Sequence, residues 1–274
     1  MKRSLLTSLI LIPLIVAETL PAMAGWPVGK KHYIITPSVS FYKAVNRWDD
    51  NGKLVSFDGD YASASFSVYG AYGISRNVDI IASIPITYQS STSTLGTFNR
   101  TSPGDMQLGV NVVLKDFNFS NYITLYVGAA IPLYKNSDFN LYGMGNTGLI
   151  ARLGNAGNLA PKFDYSLEIG GGQYFGFNAP QQFTYDATLI FKPDEENQVS
   201  LNFGGINSVS KDKSFQPNLL AVKNYNYTRA SLGYMHSFSK QFSLQLSGFY
   251  MLTGKNTGQG FGGTLSALFR LPFH

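Results

Sequence analysis

The feature that most constrains this chain is a strict alternation of apolar and polar residues that recurs along most of its length. In residues 163–169, every odd position is apolar or aromatic and every even position is polar or charged. Successive side chains of a β-strand point to opposite faces, so this pattern predicts a strand with one apolar and one polar face. Similar runs occur at 242–252 and 265–273, and no stretch after residue 24 has a long helical period.

Counting these runs predicts about twelve strands, near 31–44, 60–74, 77–89, 104–116, 120–133, 144–153, 161–174, 181–192, 197–208, 223–237, 241–253 and 258–273. The connections are alternately long, as at 45–59, 90–103 and 209–222, and short, as at 154–160. Hydrocarbon offers backbone amides no partner, so strands that cross a membrane must close into a barrel. The pattern predicts an all-β fold, a transmembrane antiparallel up-and-down β-barrel with both termini in the periplasm.

The first 24 residues have the pattern of a cleavable signal peptide. Lys2 and Arg3 precede an apolar stretch at 5–17, and Ala22-Met23-Ala24 fits a cleavage site. The apolar stretch is shorter than the roughly 20 residues that a membrane-spanning helix needs. We therefore expect two segments, a signal peptide at 1–24 and a barrel domain at 25–274.

Composition narrows the class of protein further. Charged residues make up 14% of the chain, against about 25% in a typical soluble domain. The mean hydropathy of −0.02 argues against a helical membrane bundle. The chain has no cysteine, which excludes disulfides and thiolate metal sites. Its basic residues form no cluster of the kind that binds nucleic acid, so we expect no nucleic-acid partner.

Aromatic residues near the strand ends distinguish the barrel from a soluble β-sandwich, which is the main alternative. Rings are expected to lie in two belts at the lipid headgroups. The predicted short-turn belt contains Tyr122, Phe163, Tyr165, Phe191, Phe238, Phe242, Phe269 and Phe273, and the opposite belt contains Tyr88, Tyr134, Phe183, Tyr185, Tyr227 and Tyr250. Phe273, next to the final His274, resembles the terminal aromatic signal that the barrel assembly machinery recognises. Lipid of the outer membrane and this machinery are therefore expected partners.

If the outer face meets lipid, function must come from residues that point into the lumen. By parity, the polar candidates for setting selectivity are Glu168, Asp186, Arg229, Gln245, Arg152, Asp164 and Arg270. Two interpretations stay open. Either the charges form ion pairs that fill the interior, with Arg152 facing Asp164 across a short turn, or a polar constriction selects solutes. Inward aromatic residues such as Tyr126 and Phe249 either pack the interior or offer an apolar path.

The predicted function is passive, porin-like passage of small solutes, with hydrophobic or aromatic compounds as candidates and no cofactor or metal. One alternative is a non-conducting barrel whose long loops bind a ligand or partner. Another is an outer-membrane hydrolase, which needs a nucleophile beside a base. The chain has three histidines, and His236 and Ser237 are adjacent, so they point to opposite faces of a strand. We therefore expect no enzyme activity.

Several motifs resemble a known family. They are residues 69–79 (YGAYGISRNVD), Ile84-Pro85, residues 102–109 (SPGDMQLG) and, near the expected cleavage site, Trp26 with Gly29-Lys30-Lys31. They are similar to the pattern of the MetA-pathway of phenol degradation-like family of outer-membrane barrels. The resemblance covers about residues 25–115 and implies a protein of the outer membrane of a Gram-negative bacterium that admits small-molecule substrates. It implies no catalytic residues.

Overall fold

A computed structural model describes residues 25–93, 96–134, 143–176, 179–210 and 223–272. They form thirteen strands: β1 His32–Trp48, β2 Leu54–Gly73, β3 Val78–Ser93, β4 Gly96–Pro103, β5 Asp105–Phe117, β6 Asn121–Pro132, β7 Gly148–Ala160, β8 Phe163–Tyr174, β9 Gln181–Phe191, β10 Asn197–Val209, β11 Tyr225–Ser237, β12 Phe242–Lys255 and β13 Thr257–Pro272. In this part of the chain, no helix is long and apolar enough to cross a membrane. The predicted signal peptide, Phe273 and His274 lie outside the described residues.

The strands form one antiparallel sheet that closes on itself. Consecutive strands pair along the sheet, β1 pairs with β13, and the β2–β3 pairing completes the ring. Strands β4 and β5 both pair with β3, one with each half of it, and Gly104 separates them. They therefore occupy one position in the wall, and the barrel has twelve such positions. The predicted fold is confirmed.

Several predicted connections are wrong, because the strands extend further than the apolar alternation does. Residues 45–59 were expected to form a loop, but Arg47 pairs with Val55 and only 49–53 separate β1 from β2. Residues 90–93 and 96–103 of the predicted loop 90–103 are likewise extended, because β4 pairs with β3. Strand β7 also runs through the predicted turn 154–160. Asn and Gly are common in loops of soluble proteins, but here they continue strands whose inner face is polar. Most of the predicted loop 209–222 lies outside the described residues.

The two faces of the barrel differ as the alternation predicts. Outward apolar side chains remain exposed, among them Leu246 at 62% and Leu232 at 61%. Inward polar side chains are buried and bond to one another, as in the 2.9 Å hydrogen bond from Ser38 Oγ to Ser266 Oγ. An apolar surface that encircles a closed barrel is stable only against lipid.

The aromatic belt at the short-turn end is present in part. Ring centroids lie 5.0 Å apart for Phe163 and Phe191 and 5.1 Å apart for Phe242 and Phe269. Two predicted belt residues, Tyr122 and Tyr227, instead point into the barrel and are buried. Their parity along β6 and β11 decides this, because a side chain faces lipid only if its position is on the outer face of the strand.

Candidate functional site

The barrel encloses a cavity of about 270 Å³. One side of it, which we call the hydroxyl wall, belongs to β1, β2 and β3 and contains Ser40, Ser63, Ser65, Ser67, Ser83 and Thr87. These side chains are short and neutral. Because three consecutive inward positions of β2 (Ser63, Ser65 and Ser67) are serine, free volume is left next to this wall.

The charged wall belongs to β7, β8, β9 and β11 and contains Arg152, Glu168, Asp186 and Arg229. Arg152 has several partners. Its Nη2 donates a 2.8 Å hydrogen bond to Gln107 Oε1, its Nε lies 3.7 Å from Glu168 Oε1, and its guanidinium lies 5.2 Å from the centre of the Tyr126 ring. The Arg152 side chain is therefore held against the wall rather than extended across the cavity.

The two acids of the charged wall are cross-strand neighbours. Glu168 on β8 is opposite Asp186 on β9, an arrangement that is unfavourable for two like charges unless other groups compensate. Arg152 compensates Glu168. Asp186 Oδ1 accepts hydrogen bonds from Asn202 Nδ2 at 2.7 Å and Thr188 Oγ1 at 3.2 Å.

Arg229, the second base of the wall, differs from Arg152. Its guanidinium lies 5.5 Å from the centre of the Phe249 ring, and the residue is only 8% exposed. Among the described residues its side chain has neither a hydrogen bond nor an ion pair within 4.0 Å, although it interacts electrostatically with Asp186. A β-bulge interrupts the pairing of β11 with β12 between Thr228 and Arg229. Bulges change the direction of the side chains beside them.

A segment before the first strand narrows the short-turn end of the lumen. Gly25, Trp26 and Val28 line the cavity. The Trp26 ring lies 5.7 Å from that of Tyr122, and the Val28 amide donates to Asp79 Oδ2 at 3.2 Å. The sequence around Trp26 does not predict this placement, because the contacts exist only inside a closed barrel.

The long-loop end is narrowed by the residues that precede β7. Met144 is buried against Tyr174 and Tyr225. Its amide donates a 2.7 Å hydrogen bond to Asp105 Oδ2, and Gly145 donates its amide to Tyr134 Oη at 2.9 Å. The cavity therefore lies between an inserted segment at one end and a tethered loop end at the other.

The structure brings together some of the predicted site residues and separates others. Glu168, Asp186, Arg229 and Arg152 all line the cavity. Gln245 is buried inside the barrel but does not line the cavity. The predicted pair of Arg152 with Asp164 is wrong, because Asp164 Oδ2 lies 2.6 Å from Lys192 Nζ.

Register explains that error. Asp164 is opposite Asn158 near the turn into β8, whereas Arg152 is opposite Gly170. Arg270 is also close to the short turns, and its Nη1 donates a 3.2 Å hydrogen bond to Ser243 Oγ. Asp164 and Arg270 therefore stabilise the short-turn end and do not contact the cavity.

Sequence reasoning missed how strongly aromatic the lumen is. A buried cluster combines residues from many strands: Tyr42, Tyr61, Tyr126, Tyr174, Tyr225, Tyr227 and Phe249. Glycines hold two of these rings in place. A Cβ at Gly128 would meet the Tyr126 ring, and one at Gly262 would meet the Phe249 ring. The alternation of inward and outward positions along each strand could have shown which of these aromatic residues face the lumen.

The arrangement around the histidine nearest a serine does not form a nucleophile and base pair. His236 Nδ1 lies 2.9 Å from Asn197 Oδ1, whereas Ser237 Oγ lies 2.9 Å from Ser243 Oγ. Within the described ranges, no group of three or more His, Cys, Asp or Glu side chains is placed to hold a metal ion.

A closed antiparallel barrel with an apolar outer surface and a polar, aromatic lumen defines an outer-membrane β-barrel. Solved structures with a similar fold include an outer membrane channel. The COG4313 outer membrane channel from Pseudomonas putida F1 covers 93% of this chain and is itself covered completely, with a TM-score of 0.71 and 14% identity.

Two further structures share the fold at greater distance. The NanC porin covers 85% of this chain and is covered completely, with a TM-score of 0.52 and 8% identity. The translocator domain of the autotransporter NalP from Neisseria meningitidis covers 89% of this chain and is covered to 89%, with a TM-score of 0.52 and 11% identity. No protein-family model matches the sequence, and a comparison with curated protein sequences gives no match. The fold and the apolar outer surface place the protein in the bacterial outer membrane.

Proposed function

We propose that this barrel allows passive passage of small solutes through its lumen, with hydrophobic or aromatic compounds as the favoured class. The observation that carries the proposal is the cavity of about 270 Å³, which a closed barrel separates from lipid. Its neutral hydroxyl wall and its aromatic cluster suit a solute with both polar and apolar parts. The COG4313 protein that shares this fold is an outer membrane channel, which supports the same role here.

The inserted segment and the tethered loop end limit what such a path admits. Trp26 at one end and Met144 at the other both contact the cavity. We expect a narrow path with small conductance rather than a wide aqueous pore, in keeping with a barrel intermediate between filled eight-stranded and open 16-stranded ones.

Planar-bilayer recording of the refolded chain from residue 25 tests the proposal. Folding is checked first by the heat-dependent change in electrophoretic mobility. In potassium chloride we expect discrete, small current steps, and none from the heat-denatured sample. A silent bilayer with folded, inserted protein would contradict passage and would favour a barrel that acts through its surface loops.

The enzymatic alternative receives no support from the geometry around His236, and we propose no catalytic role. The same refolded sample tests the phospholipase form of this alternative, because a phospholipase would release fatty acid from phospholipid vesicles. We expect no release above the level of protein-free vesicles.

A further inference from the structure

Arg229 is a buried cation whose side chain makes no direct hydrogen bond and no ion pair within 4.0 Å among the described residues. Burying a charge is costly unless it is paired and hydrogen-bonded. The residue is more than nine-tenths buried and lines the cavity, and its side chain has no hydrogen bond and no ion pair within 4.0 Å to any described residue. Arg152 on the same wall satisfies its charge with Gln107 and Glu168. The contrast indicates that Arg229 is available for a partner from outside the chain.

Asp186 interacts with Arg229 electrostatically across β10, but the two side chains do not pair directly. Gly204 on β10 is opposite both Asp186 and Arg229, and a Cβ there would lie 2.5 Å from Asp186 Oδ2. The Asp186 carboxylate thus lies over the glycine, where Asn202 and Thr188 bond to Oδ1. Arg229 lies instead over the Phe249 ring, and no ion pair within 4.0 Å joins the two residues.

The surroundings of Arg229 are flat and apolar. Phe249 and Tyr42 stack with ring centroids 6.1 Å apart and planes 6° apart. Tyr227 and Met251 belong to the same buried cluster, and Ile206 packs against it. Because Gly262 has no side chain, the Phe249 ring can lie beneath the guanidinium, where a larger residue would displace it.

We infer that Arg229 and this aromatic platform bind an aromatic monocarboxylate. The guanidinium would receive the carboxylate, since its planar N–H groups match both carboxylate oxygens. The ring of the solute would lie along the rings of Phe249 and Tyr42. Asp186 nearby disfavours a second negative charge on the solute. This inference rests on the proposed function and names a solute class for it.

Benzoate binding to the refolded barrel in nanodiscs of zwitterionic lipid tests the inference. Isothermal titration at low salt compares benzoate with benzamide, which has the same ring and no charge. We expect benzoate to bind at least about tenfold more tightly than benzamide, and Arg229→Gln to remove that preference. Arg270→Gln, which removes an inward arginine outside the cavity, is the matched control and should bind benzoate like the wild type.

Equal affinity for benzoate and benzamide, or full benzoate binding by Arg229→Gln, would overturn the inference. If Arg229→Gln does not fold, Arg229→Lys and Phe249→Leu replace it. The first keeps the charge without the planar fork, the second removes the platform, and both should weaken benzoate several-fold. Unchanged binding in both would also overturn it.

Conductance separates this site from the proposed function. If the barrel binds benzoate and carries no current in potassium chloride, the binding site is supported and solute passage is contradicted. If the barrel carries current and does not bind benzoate, solute passage is supported and the binding site is contradicted.

Discussion

The two walls of the lumen separate two properties that the proposed passage of solutes needs. The hydroxyl wall consists of short, neutral side chains and leaves space, whereas the charged wall consists of longer side chains, three of which are bonded to neighbouring residues. The free volume therefore lies next to the hydroxyl wall, and the charges lie on the other side of the same cavity. Changes to the first wall should alter how much passes, and changes to the second should alter which charge passes.

Filling the hydroxyl wall should have the largest effect. Ser65 lines the cavity in the middle of the serine run on β2. We expect Ser65→Trp to abolish most of the single-channel current, because the indole would occupy the free volume. Phe66→Trp is the matched control, since its side chain is 45% exposed on the outer face and its replacement should leave the current unchanged. Equal loss in both variants would remove the distinction between the faces.

Breaking the ion pair of the charged wall should cost stability. Glu168→Gln leaves Arg152 without its carboxylate partner. Because both side chains are 16% exposed to the lumen, we expect the free energy of unfolding to fall by about 1–3 kcal/mol. Urea unfolding in lipid measures this loss, with Arg152→Gln and the double variant completing a cycle. Strictly additive losses would show that the two residues do not interact.

Charge removal on that wall should shift ion selectivity in opposite directions. Arg229→Gln should make the channel more cation-selective, and Glu168→Gln should make it more anion-selective, because each removes one sign of charge from the lining. The reversal potential in a salt gradient measures both. Ser67→Ala on the hydroxyl wall is the neutral control. Reversal potentials unchanged in both charge variants would exclude these residues from selectivity.

A charge that belongs to neither wall should have the smallest effect. In the turn before β10, hydrogen bonds from the Asn197 side chain and from the amides of Glu196 and Asn197 lower the pKa of Asp194. A carboxyl group whose pKa is lowered in the folded state stabilises the folded protein at pH values above its unfolded pKa of about 3.9. That stabilisation disappears as the pH falls through the folded-state pKa.

We therefore expect the melting temperature of Asp194→Ala to be slightly lower than that of the wild type at pH 7. In strong acid the two melting temperatures should be the same. Its conductance and selectivity should match the wild type, since the turn lies outside the cavity. Thermal melts across the acid range check the first point. A difference that persists below the folded pKa would show that the turn is stabilised by something other than the ionised carboxylate.

The alternation of side chains was enough to predict the barrel and the inward residues of the charged wall. It did not predict where strands end, because residues such as Asn46 and Asn155 continue a strand while having the chemistry of a loop. Nor did it predict partners. Arg152 meets Glu168 rather than Asp164 because register across β7 and β8 decides which inward side chains are neighbours.

The position of the inserted segment (Gly25, Trp26 and Val28) could not be predicted from the sequence, for a different reason. Trp26 and Val28 contact residues on β6 and β3 that are distant along the chain. Only closure of the barrel brings those surfaces together. Local patterns predict local structure well, and they carry little information on what occupies an enclosed space.

The central claim is that one face of each strand meets lipid while the other meets the water of the lumen. The chain has no cysteine, so single cysteines at each position from Ser63 to Val68 on β2 report on this directly. In proteoliposomes, a charged thiol reagent should label positions 63, 65 and 67, which line the cavity, and spare positions 64, 66 and 68. Uniform labelling, or labelling of the even positions alone, would contradict the claim.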